Sequence, residues 1–280
     1  MKRLQLLLLL FLTFFSCKFS EDNKKKKINI LLIGNSLTYF HNMPETLQKM
    51  LSENSENFNV EQSTFPGMSL DAHLNSIIMS SDNENNIYTR TKKPNEITET
   101  EKKIKEKKWD IIILQESSTR FLIPEIRKLK VEKSISKIKG LVRNEKCKFI
   151  LFKNWPSKKD FPKQFCRQSS IIDPRIEKEK CCSPKIKNLT QEFSLINQAY
   201  DSIVQNQNLL ISSNGDYFYK SLSGKIDINL YEDNIHPNEK GSFLNACHFY
   251  KIITNNHPSQ IKYIGNLEND IASKIKKMTD

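Results

Sequence analysis

Glycine is scarce in this chain, with seven among 280 residues. Sharp turns and close backbone approaches therefore have few places to occur, and Gly34 takes one directly after the apolar "ILLI" and before Asn35 and Ser36. There are five histidines, and none lies near the Cys181-Cys182 pair, which argues against a zinc site there. The apolar run from Leu4 to Phe15 falls short of the about 20 residues a comfortable membrane span needs. A basic stripe is missing as well. The formal charge is +12, but the lysines are dispersed among Glu and Asn instead of gathering with aromatics, and in "TETEKKIKEKKWD" the signs alternate as on a solvated helix face. No nucleic-acid partner is expected, whereas nearness to an anionic membrane surface is compatible with the charge. No internal repeat is present.

What is present begins with "MKRLQLLLLLFLTFFSC": two basic residues, an apolar run, then Ser16 and Cys17. This is an export signal and stands outside the fold. It resembles a bacterial lipoprotein signal ending in a lipobox, "FFSC", which implies lipid attachment at Cys17 and placement on the cell envelope, on the periplasmic or extracellular side. Residues 1–16 are thus read as the signal and the polar 17–27 as a flexible tether. Removal of residues 1–16 from 280 leaves 264, and because Lys2 and Arg3 go while no acidic residue does, the charge falls from +12 to +10. That length suits one large domain with a substantial core. Five cysteines remain after Cys17. Export permits disulfides, and Cys166 with Cys181 or Cys182 could close a loop; the odd number leaves at least one thiol free or paired between chains.

Apolar runs bounded by polar turns recur at 28–34, 109–115, 148–154 and 208–215, with a weaker one at 58–65. Helix-like stretches lie near 44–54, 69–79, 97–108, 125–144, 191–206 and 238–254. Continuous apolar strands alternating with helices predict an α/β domain, a doubly wound parallel sheet covered on both faces. Two polar segments interrupt the alternation, 80–96 and 157–189, and read as insertions over one end of the sheet. Residues 259–280 read as a C-terminal extension.

Two places carry chemistry. Ser36 follows the first strand at a glycine turn, where the N–H groups of a starting helix would face an anion developing beside its hydroxyl. Alone, this is an ordinary helix cap. Asp233 and His236, in "YEDNIHPNEKGSF", stand three apart before a helix; a serine hydroxyl needs a base, and the imidazole needs a carboxylate to fix its tautomer. Alone, this too is a capped helix start.

Together, and in this chain order, "IGNSLT" and "DNIHPNEKGSFLNACHFY" resemble the first and last blocks of the SGNH, or GDSL-like, hydrolases, over residues 28–258. The resemblance implies a flavodoxin-like three-layer α/β/α fold and a serine esterase needing no metal or organic cofactor. Ser36 would be the nucleophile, His236 the base and Asp233 its orienter. Asn35 stands where Asp is more common. For the second block, "STFPGMSL" offers the Gly67 N–H to the oxyanion. The third block departs from the usual Gly-x-Asn: "ILQESST" is closer to the pattern of sialate and xylan O-acetylesterase relatives, which leaves Gln115 or Asn154 as the further donor. The substrate implied is an acyl ester, an O-acetyl group on a carbohydrate. Lipid or small esters remain open, as does a glycan-binding lipoprotein without turnover. Trp155 reads equally as core or as a sugar platform, and His41, His73, His248 and His257 have no partner at diagnostic spacing.

Overall fold

The computed structural model describes residues 27–54, 57–82, 86–158 and 160–280, and, at 54, the backbone alone. The signal expected at 1–16, Cys17 and the tether up to residue 26 lie outside the described residues.

The chain opens with β1 (Ile28–Gly34), a single helical turn α1 (Ser36–Tyr39), a 3-10 turn at Phe40–Asn42, and α2 (Met43–Asn54). Then come β2 (Phe58–Thr64), α3 (Leu70–Asn75), β3 (Ser76–Ser81), β4 (Ile87–Thr91) and α4 (Glu99–Glu106). β5 (Ile111–Gln115) leads to α5 (Ser118–Leu122), α6 (Pro124–Ile126), a π turn at Arg127–Val131 and α7 (Glu132–Leu141). The second half holds β6 (Lys148–Phe152), β7 (Cys166–Gln168), α8 (Ser169–Ile172), β8 (Lys180–Cys182) and α9 (Leu189–Gln207). It ends with β9 (Leu210–Ser212), α10 (Asn214–Leu222), α11 (Glu239–Thr254) and α12 (Asn269–Thr279).

Five strands form one parallel sheet in the order β2-β1-β5-β6-β9. Because side chains alternate across a strand, the apolar runs of β1 and β5 serve both faces. Ile30, Leu32, Ile111 and Ile113 point into a core shared with α2, α11 and α12, while Leu31, Ile33, Ile112 and Leu114 point into a second core under α3, α4, α5, α7 and α9. The doubly wound three-layer sheet expected from the alternation is the one observed. The strand order reverses between β1 and β5, and at such a switch point the carboxyl ends of the strands open a crevice.

The structure differs from the sequence reading in the two polar segments. The helix expected to reach residue 79 stops at Asn75, because Ile77 and Ile78 are β-branched and pair with Arg90 and Thr89 in an antiparallel hairpin. Most residues of β3 and β4 are half-buried or exposed, so no hydrophobic period marked them. Within 157–189, β7 and β8 form a second antiparallel ribbon, closed by a disulfide between Cys166 and Cys182. Cys181 is buried and free. The C-terminal extension carries α12, whose Ala272 and Ile275 are buried in the first core, and the Lys276 Nζ donates to the Ile261 carbonyl at 2.6 Å.

Candidate active site

The turn after β1 is built from buried polar contacts. A Cβ on Gly34 would stand 2.5 Å from Thr38 Oγ1 and 2.6 Å from Gln115 Oε1, so only glycine lets the strand end this close to its neighbour. Asn35 is extended and caps α1: its Oδ1 accepts from the Leu37 N–H at 3.2 Å, and its Nδ2 donates to the Met68 carbonyl at 3.3 Å. Because Asn35 does the capping, the Ser36 hydroxyl is left for another partner. It lies 2.9 Å from His236 Nε2.

His236 is held by a tight turn before α11. Asp233 Oδ1 accepts from the N–H groups of Ile235 and His236, each at 2.7 Å, and Oδ2 lies 2.7 Å from His236 Nδ1. With a carboxylate facing it, Nδ1 carries the proton, which leaves the Nε2 lone pair toward the serine. Partial burial would push the Asp233 carboxyl up, but the His236 ring and the two backbone N–H groups outweigh it and bring it down to about 2. The imidazole side chain is 21% exposed and the carboxylate 54%, so the pair lies at an open surface. Phe40 stacks on the His236 ring with centroids 4.2 Å apart and planes within 8°.

The second-block turn lies beside the serine. Phe65 N–H donates to the Gly34 carbonyl at 3.2 Å, and Gly67 has φ +61° with open space where a side chain would be. The N–H groups of Ser36 and Gly67 have no acceptor among the described residues, as an oxyanion site requires. The other two candidate donors are placed differently. Gln115 is fully buried beneath the turn, where its Oε1 accepts from the Asn35 N–H at 2.8 Å and from Thr38 Oγ1 at 3.1 Å. Asn154 is buried too, and its Nδ2 donates to the Glu116 carbonyl at 2.7 Å, joining the ends of β5 and β6. In this structure both amides are buried and hold the turn and the strand ends together.

Other residues enter that spacing alone did not bring forward. His73 is buried, with Nε2 2.9 Å from the Gly34 carbonyl and Nδ1 2.7 Å from Thr100 Oγ1; burial brings it down to about 4, against the opposing bond to Gly34. Glu116 is buried, which raises its carboxyl, although Arg120 and the N–H groups of Ser117 and Leu70 pull the other way. Trp155 is core: it stacks on Phe218 at 3.7 Å, and its Nε1 donates to the Ile235 carbonyl at 2.8 Å. His41 pairs with Glu232 at 2.5 Å, tying the turn after α1 to the loop that holds the base. "TYFHN", directly after the serine block, is the signal that could have pointed to Phe40 and His41.

No protein-family profile matches the chain, and no curated protein sequence matches it. Solved structures do. A protein of Slackia heliotrinireducens, proposed to be an SGNH hydrolase, is 17% identical with a TM-score of 0.55, over 81% of this chain and 100% of that one. The fold is that of the SGNH hydrolases. A DUF4886 family protein from Bacteroides uniformis is 15% identical with a TM-score of 0.63, over 91% of this chain and 93% of that one. A proposed GDSL-like lipase from Parabacteroides merdae is 10% identical with a TM-score of 0.52, over 82% and 97%. In this SGNH fold Ser36 stands at the carboxyl end of β1 and His236 just before α11, and the two side chains meet across 200 residues of chain.

Proposed function

We propose that this protein is an exported serine esterase that removes acyl groups, O-acetyl groups in particular, from carbohydrates. The observation that supports it most is the unbroken chain of contacts from Ser36 Oγ to His236 Nε2 at 2.9 Å and from His236 Nδ1 to Asp233 Oδ2 at 2.7 Å. In the proposed mechanism His236 takes the proton of Ser36 as the hydroxyl oxygen attacks the ester carbonyl. The tetrahedral oxyanion is met by the N–H groups of Ser36 and Gly67, both without an acceptor among the described residues. The imidazolium returns its proton to the leaving alkoxide, which departs as the free hydroxyl. Water, activated by the same imidazole, then splits the acyl-serine to release the acid. Asp233 stays ionised throughout and fixes the tautomer.

The carbohydrate part rests on the likeness of "LQESS" to sialate and xylan O-acetylesterases and on the export signal. The openness of the site, with Asp233 half exposed, suits an acetyl group on a bulky polymer. The lipid attachment at Cys17 and the tether to residue 27 belong to the same proposal and would hold the enzyme at the envelope, a stable anchoring that takes more than one acyl chain.

The deciding experiment compares acetate release from acetylated xylan with fatty-acid release from long-chain p-nitrophenyl esters, beside Ser36→Ala. Release of acetate that Ser36→Ala abolishes supports the reading. Preference for long chains transfers the enzyme to lipid esters, and saturable glycan binding without any turnover makes it a binder.

A further inference from the structure

A recess lies next to the catalytic loop. It is a polar cleft of about 190 Å³ between the start of α2, the start of α11 and the segment leading to α12. Its wall includes His41, whose partner Glu232 directly precedes Asp233, and Glu239, three residues beyond His236. We propose that this cleft is a subsite for one sugar ring of the substrate's alcohol part. It rests on the esterase reading for its role and on its own geometry for its ligand.

The size fits a part and not a whole: complete ligand pockets start near about 300 Å³. The chemistry fits a neutral sugar. Asn42, Asn266 and Glu239 line the cleft, and none of their side chains has a partner among the described residues. Amides both give and take hydrogen bonds and a carboxylate takes them, which matches hydroxyls that do both. The lysine on the wall, Lys49, pairs with Glu45 at 2.8 Å, and with Glu239 also on the wall the cleft carries no net positive charge from these three residues. Tyr263 supplies an aromatic ring, with the Lys49 Nζ 5.7 Å from its centroid, and the apolar face of a sugar can lie against the part of the ring that the lysine leaves open.

The wall is also held in place before any ligand arrives. The Glu53 carboxylate accepts the N–H groups of Lys262, at 2.6 Å, and of Tyr263. Gly265, at φ +63°, turns the segment back toward Phe243. The Lys276 bond to the Ile261 carbonyl fastens the segment to α12. A rigid wall loses little entropy on binding. It is built by residues 263–267, in the C-terminal extension that follows the last block of the sequence resemblance.

The test is calorimetric titration of the Ser36→Ala protein with the trisaccharides xylotriose, cellotriose and chitotriose, with Tyr263→Ala and Asn266→Ala added singly. Saturable binding of at least one is expected, weakened about tenfold by either added change. Asn266 is exposed and without a partner among the described residues, so its truncation leaves the fold standing. No saturable binding of any of the three, or binding that neither change weakens, overturns the subsite. Because the nucleophile is absent throughout, the two readings separate. Binding through Tyr263 in a protein whose wild type releases no acetate keeps the subsite and removes the esterase; acetate release with no such binding does the reverse.

Discussion

Gly34 has no room for a side chain, since the two nearest atoms a methyl would meet, Thr38 Oγ1 and Gln115 Oε1, are buried members of the network that carries Ser36. Gly34→Ala must therefore shift the turn, and a displacement near 1 Å at a reacting group costs about 10²-fold in rate. A fall of that order in kcat/KM on p-nitrophenyl acetate is expected, and a near-normal value would contradict the tight turn. Asp233→Asn acts on the other partner of the base. The amide keeps the shape but loses the charge and can present an N–H to Nδ1, so kcat should fall by roughly 10²- to 10⁴-fold with KM little changed. At this scale much was legible: Ser36, Asp233 and His236 were singled out by residue type and order, and the structure brings them into contact. Gln115 and Asn154 lie at the expected end of the sheet, and their side chains turn inward. Sequence shows that a polar residue follows a strand but not whether its amide points out to a ligand or in to a neighbouring backbone.

Elements were read where hydrophobic burial wrote a pattern. β1 and β5, apolar on both faces, were plain, and so was α11. The hairpin of β3 and β4 and the ribbon of β7 and β8 are half-exposed pairings of polar segments, so alternation carried no signal. The ribbon depends on its cross-link. The disulfide joins residues 16 apart in sequence, and in the chain-entropy picture closing a loop of that size contributes about 3 kcal/mol. Cys166→Ser is expected to lower the urea midpoint by a matching amount, and an unchanged midpoint would show that the ribbon is already separate from the cooperative unit.

For the whole molecule, acid is the stress that the buried histidines respond to. Burial brings His73 and His248 each down to about 4, from an ordinary value near 6.5. Between those values the unfolded chain takes up protons that the buried rings refuse, so the histidines' contribution is unaffected above about pH 6.5 and turns unfavourable as pH falls toward 4. Each histidine contributes up to about 3 kcal/mol of that unfavourable change. The carboxyls of Glu116 and Glu192, which burial raises, act in the opposite sense, so the histidine contribution is read by difference: the change in urea midpoint from pH 7 to pH 4.5 should be less unfavourable in His73→Gln than in the wild type, and an identical change in the two would contradict the buried neutral ring. The depressed carboxyls of Asp233, Glu61 and Glu96, all at about 2, enter only in stronger acid. The three-layer sheet and its likeness to the SGNH hydrolases were legible from the strand and helix alternation and the two end blocks. The cleft at residues 263–267 was not, because it is made by packing an extension against helices distant in sequence.

The proposed chemistry requires that Ser36 be made nucleophilic by His236, and a fluorophosphonate probe reads that directly. Mass analysis of the labelled protein should find one adduct, on Ser36, formed quickly in the wild type and slowed at least about 10³-fold in His236→Ala. No adduct on Ser36, or one that forms equally fast without the imidazole, would contradict the assignment of the pair as nucleophile and base.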